Sequence, residues 1–253
     1  MFKHSIFLRI YAGLVILVAL VAVFGYLLVQ IINYQRAQEY RESLTDGVSY
    51  IISEGIARQP NEQQKKDWIS DAADLLELPI YYVDASKVEL SRAEKKRIEA
   101  RKAAVRYDAE HSTAYIIIGL KDDAKHLLYI KVDKIGERQM KALPIFILDY
   151  LVYYPGQEKE YLAKIQSNFS YPIQIQKVQD LPLDSEQIGR LRLDHSIILY
   201  RDNASVRGTT ISIVSPMPSS PSEVLVLGPV PLFNWMPFQL AAGITLLSLF
   251  VLS

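Results

Sequence analysis

Residues 10–32 are apolar at almost every position, interrupted by Gln30 and by small or aromatic residues such as Gly13 and Tyr26. At a rise of ~1.5 Å per residue, about 20 such residues cross a hydrocarbon core of ~30 Å, and a single chain crossing lipid satisfies its backbone as a helix. The run exceeds the ~7–15 apolar residues of a secretory signal, and Asn33-Tyr34-Gln35-Arg36-Ala37 holds no Ala-x-Ala cleavage site, so an uncleaved anchor is expected. Beyond it the apolar positions thin to a 3–4 spacing at Tyr34, Ala37, Leu44, Val48, Ile51 and Gly55, with Arg41 as the one intruder. That spacing predicts a continuing helix, ended by Arg58-Gln59-Pro60. Its seam suits either a left-handed coil with a second copy, through Leu44, Val48 and Ile51, or a helix packed on its own domain.

Asn61, with Gln64 three residues on, predicts the cap of a second helix, whose stripe of Trp68, Ile69, Ala72 and Leu76 stops before Pro79. Residues 80–83 read as a strand, 90–106 as a charged helix, and 114–120 and 127–132 as two further strands. The order then recurs at a displacement of 93 residues, the distance from Pro79 to Pro172. At that offset Trp68 meets Tyr161, Ile69 meets Leu162, Ala72 meets Ile165, Leu76 meets Phe169, Arg97 meets Arg190 and Tyr107 meets Tyr200. Later strands at 209–214 and 223–227 need small shifts. Element type, stop signal and apolar phase agree at one offset, which predicts two related α/β lobes, about 44–134 and 143–231, joined near Lys134–Pro144. The expected class is α+β, each lobe running helix, strand, helix, strand, strand, with helices covering one sheet face.

A second apolar run begins near Leu232 and continues to Ser253 without a charge. Trp235 and Phe238 suit a headgroup-level belt and Pro237 a first helical turn, so 232–253 is expected to be a second transmembrane helix, cut short within a longer protein. Lys3 and Arg9 precede the first anchor, whereas no Lys or Arg follows Arg207. The positive-inside rule then puts residues 1–9 in the cytoplasm and 33–231 on the far side, as a two-pass protein of the bacterial inner membrane with a periplasmic centre. Net charge is zero, which argues against a nucleic-acid partner, and the absence of cysteine excludes disulfides and thiolate metal sites.

Catalytic patterns were sought through their mechanics. The sequence holds no phosphate-cradling glycine loop, no Gly-x-Ser-x-Gly elbow and no His-Glu-x-x-His. His4, His111, His126 and His195 have no second ligand at helical spacing, and Asp122-Asp123 is the one paired-acid spot. No catalytic, cofactor or metal residue is expected. Arg92, Lys95, Lys96, Arg97, Arg101, Lys102 and Arg106, opposed by Glu94 and Glu99, make a basic segment. It is either the wet face of a helix or a surface for an anionic ligand, with Arg97, Arg101 and Lys102 as its candidates.

The start Met1-Phe2-Lys3-His4-Ser5-Ile6-Phe7-Leu8-Arg9-Ile10-Tyr11, running into the first anchor, resembles that of RstB-type two-component sensor histidine kinases. Leu78-Pro79-Ile80-Tyr81 and Leu181-Pro182-Leu183 point the same way. The resemblance implies a homodimeric sensor that detects an unknown periplasmic ligand or envelope state. Beyond the second anchor it implies a HAMP linker, a phosphoaccepting helix and a kinase domain using ATP and magnesium, with a cytoplasmic response regulator as partner. Envelope stress and biofilm output are the family-level expectation. None of those kinase motifs lies in this sequence. A chemoreceptor or cyclase receptor shares the topology, and residues after Ser253 separate it from a kinase. A polysaccharide co-polymerase also has two anchors and prolines near the second, here Pro216, Pro218, Pro221, Pro229, Pro231 and Pro237, but it projects long coiled helices rather than strand pairs.

Overall fold

The apolar run and the 3–4 seam after it form one helix, α1 (Ile6–Ala57), in the computed structural model, which describes residues 6–108, 110–111, 113–133, 136–203, 208–232 and 243. Ile16, Leu17, Phe24 and Leu28 are exposed, and by length and composition α1 can cross a membrane. The expected second anchor, 232–253, lies outside the described residues apart from Leu232 and Gly243. The chain divides into two units, Met1–Tyr40 with Phe233–Ser253, and Arg41–Leu232.

Within Arg41–Leu232 the signals act locally as their chemistry predicts. Asn61 Oδ1 accepts from Gln64 N at 2.9 Å and starts α2 (Glu62–Leu76), which Glu77 closes in the left-handed conformation ahead of Pro79. Strand β1 (Ile80–Asp84) follows, then a single 3₁₀ turn, then α3 (Arg92–Glu99), opened by a capping box between Ser91 and Glu94. Here the structure corrects the sequence reading. The charged helix does not reach Arg106: Arg101 turns left-handed at φ 57°, and 104–108 form β2 (Ala104–Asp108). With β3 (Thr113–Leu120) and β4 (Asp123–Val132), the first sheet has the order β1-β4-β3-β2, antiparallel throughout.

The second half adds α4 (Glu137–Val152), α5 (Glu158–Ile165), β5 (Ile173–Lys177), α6 (Ser185–Arg192), β6 (Ile197–Asn203), β7 (Gly208–Met217) and β8 (Ser220–Pro231). Its sheet order, β5-β8-β7-β6, repeats the first. β1 and β5, the 3₁₀ turns at Ala85–Lys87 and Val178–Asp180, α3 and α6, and β2 and β6 all begin 93 residues apart, as Ile80 and Ile173 do. The later strands repeat at 97, from Ile117 to Val214 and from Ile130 to Leu227, and the register slip at Gly119/Leu120 recurs at Pro216/Met217. Helix α4 answers to the last turns of α1 at 95, from Ala57 to Val152, which puts buried Ile51 and Ile52 opposite buried Phe146 and Ile147. Each lobe is therefore helix, helix, strand, helix and three strands, one helix and one strand more than expected. The expected joint at Lys134–Pro144 falls partly inside α4, which carries Pro144 in its interior.

Helices cover both faces of each sheet, not one. Ile118, Leu128 and Ile130 face Ile52, Ile56 and Ile69 of α1 and α2, while Ala104, Ile117 and Leu127 on the other face meet Ile98 of α3. In the second sheet, Leu225 and Leu227 face α4 and α5, and Val214, Val224 and Val226 face Leu191 of α6. The four remaining helical segments meet in the middle: Ile51, Ala72 and Leu76 of the first lobe share one core with Phe146, Ile147 and Leu162 of the second. The contacts are exchanged between lobes. Gly47 of α1 leaves room for the ring of Phe169, and at the matching corner Gln139 of α4 donates to Leu76 O at 3.2 Å. Arg58 latches the end of α1 to the second lobe, its guanidinium 4.2 Å over Tyr150 and 4.4 Å over Tyr153, donating to Tyr154 Oη at 3.1 Å.

Candidate functional site

Where the tip of the β3–β4 hairpin meets α1 and the end of α3, the first lobe is open. A cleft of about 330 Å³ lies there. Ser49, Tyr50, Ser53 and Glu54 of α1 form one wall, Ile98 to Lys102 a second, and Ile118 to Lys121 with His126 and Leu127 a third. Its position follows from small residues. Ser53 is short enough for Gly119 and Lys121 to approach: its hydroxyl donates to Gly119 O at 3.3 Å and accepts from Lys121 N at 2.9 Å. Gly119 is required in turn, because a Cβ there would stand 2.7 Å from the Ile98 side chain.

The charges are mostly engaged. Lys121 Nζ lies 2.9 Å from Glu54, whose hydrogen bond holds the lysine's pKa above its ordinary value. Asp123 accepts from Tyr82 Oη at 2.8 Å and from Lys125 N at 3.2 Å, and His126 Nδ1 sits 2.9 Å from it with its ring stacked on Tyr82. Burial works to raise the Asp123 pKa, but the hydrogen bonds from Tyr82 and His126 outweigh it and leave the carboxyl below its usual range. Burial first, and then Asp123, push the Tyr82 phenol well above its ordinary value, so it stays a neutral donor. Among the described residues no group of three or more His, Asp or Glu could hold a metal ion.

The basic segment separates into different roles. Arg97 turns inward to bind α1: Nη2 lies 2.8 Å from Asp46, Nη1 3.1 Å from Glu42, and Nε donates to Ala103 O at 2.6 Å. Arg106, on β2 rather than on a helix, grips Glu94 through two hydrogen bonds of 2.8 Å and donates to Tyr129 Oη at 3.0 Å. Of the three residues predicted to meet an anion, Arg97 is thus taken by structure, while Arg101 and Lys102 line the cleft, exposed and without an ion pair among the described residues. The predicted seam is also taken up by the chain's own fold. Ile51 is 2% exposed in the core between the lobes, Leu44 packs on that core, and Val48 packs beneath the first sheet.

Sequence reasoning missed the α1 wall. Its signal is Ser49 and Ser53, two small polar residues one turn apart and both buried in a stretch of α1 whose other buried positions are Gly47, Ile51, Ile52 and Ile56. No protein family matches the sequence, and no curated protein resembles it.

Proposed function

We propose that this chain is the membrane-anchored sensory part of a two-component sensor histidine kinase, with Arg41–Leu232 on the periplasmic side of a bacterial inner membrane. The observation that carries the reading is α1. The helix whose first half is apolar and exposed is the same helix that supplies Ser49, Tyr50, Ser53 and Glu54 to the cleft. A ligand that binds two arrangements of that wall unequally biases α1 by the difference, typically ~1–3 kcal/mol, and through α1 the cytoplasmic side. The duplicated lobes suit this role, since the second lobe holds α1 at Arg58 while the first meets the ligand. The signal reaches a cytoplasmic kinase, which uses ATP and magnesium to phosphorylate a response regulator. The chain works as a homodimer; of the expected seam, Ile51 is buried within one copy, while Leu44 and Val48 are only partly buried.

The reading is tested by joining residues 1–253 to the cytoplasmic half of a well-behaved sensor kinase, with a second set of fusions to report topology. A reporter active only outside the cytoplasm should work when fused after Asp133 and fail at the N-terminus. Arg58→Met, which frees the end of α1 from its tyrosines, should reset basal output of the chimera at unchanged expression. A silent reporter after Asp133 overturns the topology, and output indifferent to Arg58→Met overturns the coupling.

A further inference from the structure

The duplication supplies an internal control for the cleft, because the corresponding place in the second lobe can be read residue by residue. At the offset of 95 that aligns the helices, Ser49 and Ser53 answer to Pro144 and Leu148. At 97, Gly119 and Lys121 answer to Pro216 and Pro218, and at 93, Arg101 and Lys102 answer to Asp194 and His195. The left-handed turn is kept in both lobes, at φ 57° for Arg101 and 58° for Asp194, so the backbone is the same while the rim charge is reversed. Where the first lobe has small polar residues and cations, the second has bulk, proline and an acid. The open cleft is thus a property of the first lobe's side chains and not of the fold.

Its chemistry narrows the ligand. Ile98 and Leu127 give the cleft an apolar wall, and its volume lies at the low end of the ~300–1,000 Å³ of small-molecule sites. Glu54 is occupied by Lys121 and Asp123 by Tyr82 and His126. What remains at the rim is Arg101, Lys102 and a single acid, Glu99, none with an ion pair among the described residues. The backbone donors there are already used, Arg101 N on Ile98 O and Lys102 N on Arg97 O, both at 2.9 Å, in closing α3. At Arg101 and Lys102 no peptide N–H is left to cradle a multiply charged phosphate, so there the anion is held by the two side chains. We propose that the first-lobe cleft binds a small organic monocarboxylate with an apolar body, its carboxylate on Arg101 and Lys102 and its body against Ile98 and Leu127. The proposal rests on the sensory reading above for its purpose, but not for its chemistry.

The test uses the full chain in lipid nanodiscs with isoleucine methyls labelled for NMR. Butyrate and phenylacetate are titrated in parallel with phenylacetamide, which keeps the shape and lacks the charge. The acids should shift the Ile98 methyls, and the amide should bind at least about tenfold more weakly, a difference of ~1.4 kcal/mol. R101Q/K102Q should lose acid binding by a similar factor with its other methyl signals in place. S53L, which installs the second lobe's residue, should close the cleft to acid and amide alike. No shift by either acid at roughly 10 mM, equal binding of acid and amide, or acid binding untouched by R101Q/K102Q overturns the assignment. Acid binding that leaves the kinase chimera's output unchanged keeps the cleft and removes the sensory reading. Output that responds to an envelope signal in R101Q/K102Q as in the parent keeps the sensor and removes the cleft as its receptor.

Discussion

Replacing Arg97 by Met keeps an unbranched stem and removes the guanidinium that holds α3 to α1. Three bonds are lost at once: to Asp46 at 2.8 Å, to Glu42 at 3.1 Å and to Ala103 O at 2.6 Å. The side chains are 24%, 15% and 15% exposed for Arg97, Glu42 and Asp46, which places the cluster between two regimes. An exposed pair contributes about 0–1 kcal/mol, whereas stripping one partner from a buried pair costs ~3–5 kcal/mol. Glu42 and Asp46 are four residues apart on one helix, so without the cation they also repel. The expected loss is about 2–3 kcal/mol, a large share of the ~5–15 kcal/mol that holds a domain. Urea unfolding of the solubilised chain, followed by circular dichroism, measures it. Asp46→Asn in the same background should recover part of the loss, because it removes the stranded carboxylate, giving a coupling of ~1–2 kcal/mol. A loss below ~0.5 kcal/mol, or strict additivity of the two changes, refutes the view that Arg97 is a structural clamp rather than a ligand contact.

Three further outcomes follow from the packing and the charges. Gly47→Ala puts a methyl group into the ring of Phe169, itself buried, so overpacking of ~1–3 kcal/mol exceeds the ~1 kcal/mol gained in helix propensity and the domain melts earlier. Gly189→Ala in α6, where nothing lies within 4 Å, should instead raise the melting temperature. The Glu94 carboxyl is held below its usual range by hydrogen bonds from Arg106 and then Ser91, against the opposing effect of burial. Its folded pKa is the lower one, so its contribution to stability is full above the unfolded value of about 4.3 and disappears as pH falls through the folded value. Stability measured against pH should therefore fall below about pH 4.3, and less steeply in Glu94→Gln.

Much of the lobe plan was legible because its signals are local. The Asn61 cap, the stops at Pro79 and Pro172 and the apolar run at 114–120 need no tertiary context, and the two prolines set the offset of 93 residues. The misreadings have physical reasons. Ala104-Val105 is strand because the sheet buries it, yet its residue types suit a helix end equally well, so the charged helix was extended through Arg106. Helix α4 was missed behind Pro144, which lacks the amide for an interior helical bond; tertiary packing buries it nonetheless. The 3–4 spacing on α1 reports that a face is covered but not by what: Ile51 is buried in the chain's own core, and Leu44 and Val48 are partly buried within the same chain. In the candidate site, Arg101 and Lys102 were legible as free charge. The serine wall opposite them was not, because it gains meaning only when the hairpin tip folds onto it.

At the offsets of 95 and 93, Gly47 answers to Ala142 and Phe169 to Leu76, so Gly47 with Phe169, and Gln139 one turn before Ala142 with Leu76, approximate the reciprocal contacts that two copies of one protein make across a twofold axis. In a dimer of identical chains, any change that opens a cleft in one copy opens it in both. Joining the copies in one polypeptide removes that constraint, and here the two have parted in residue type: Ser49, Ser53, Gly119, Lys121 and Arg101 in the first lobe answer to Pro144, Leu148, Pro216, Pro218 and Asp194 at the matching positions of the second. The set of side chains proposed above to hold a ligand therefore occurs once per chain.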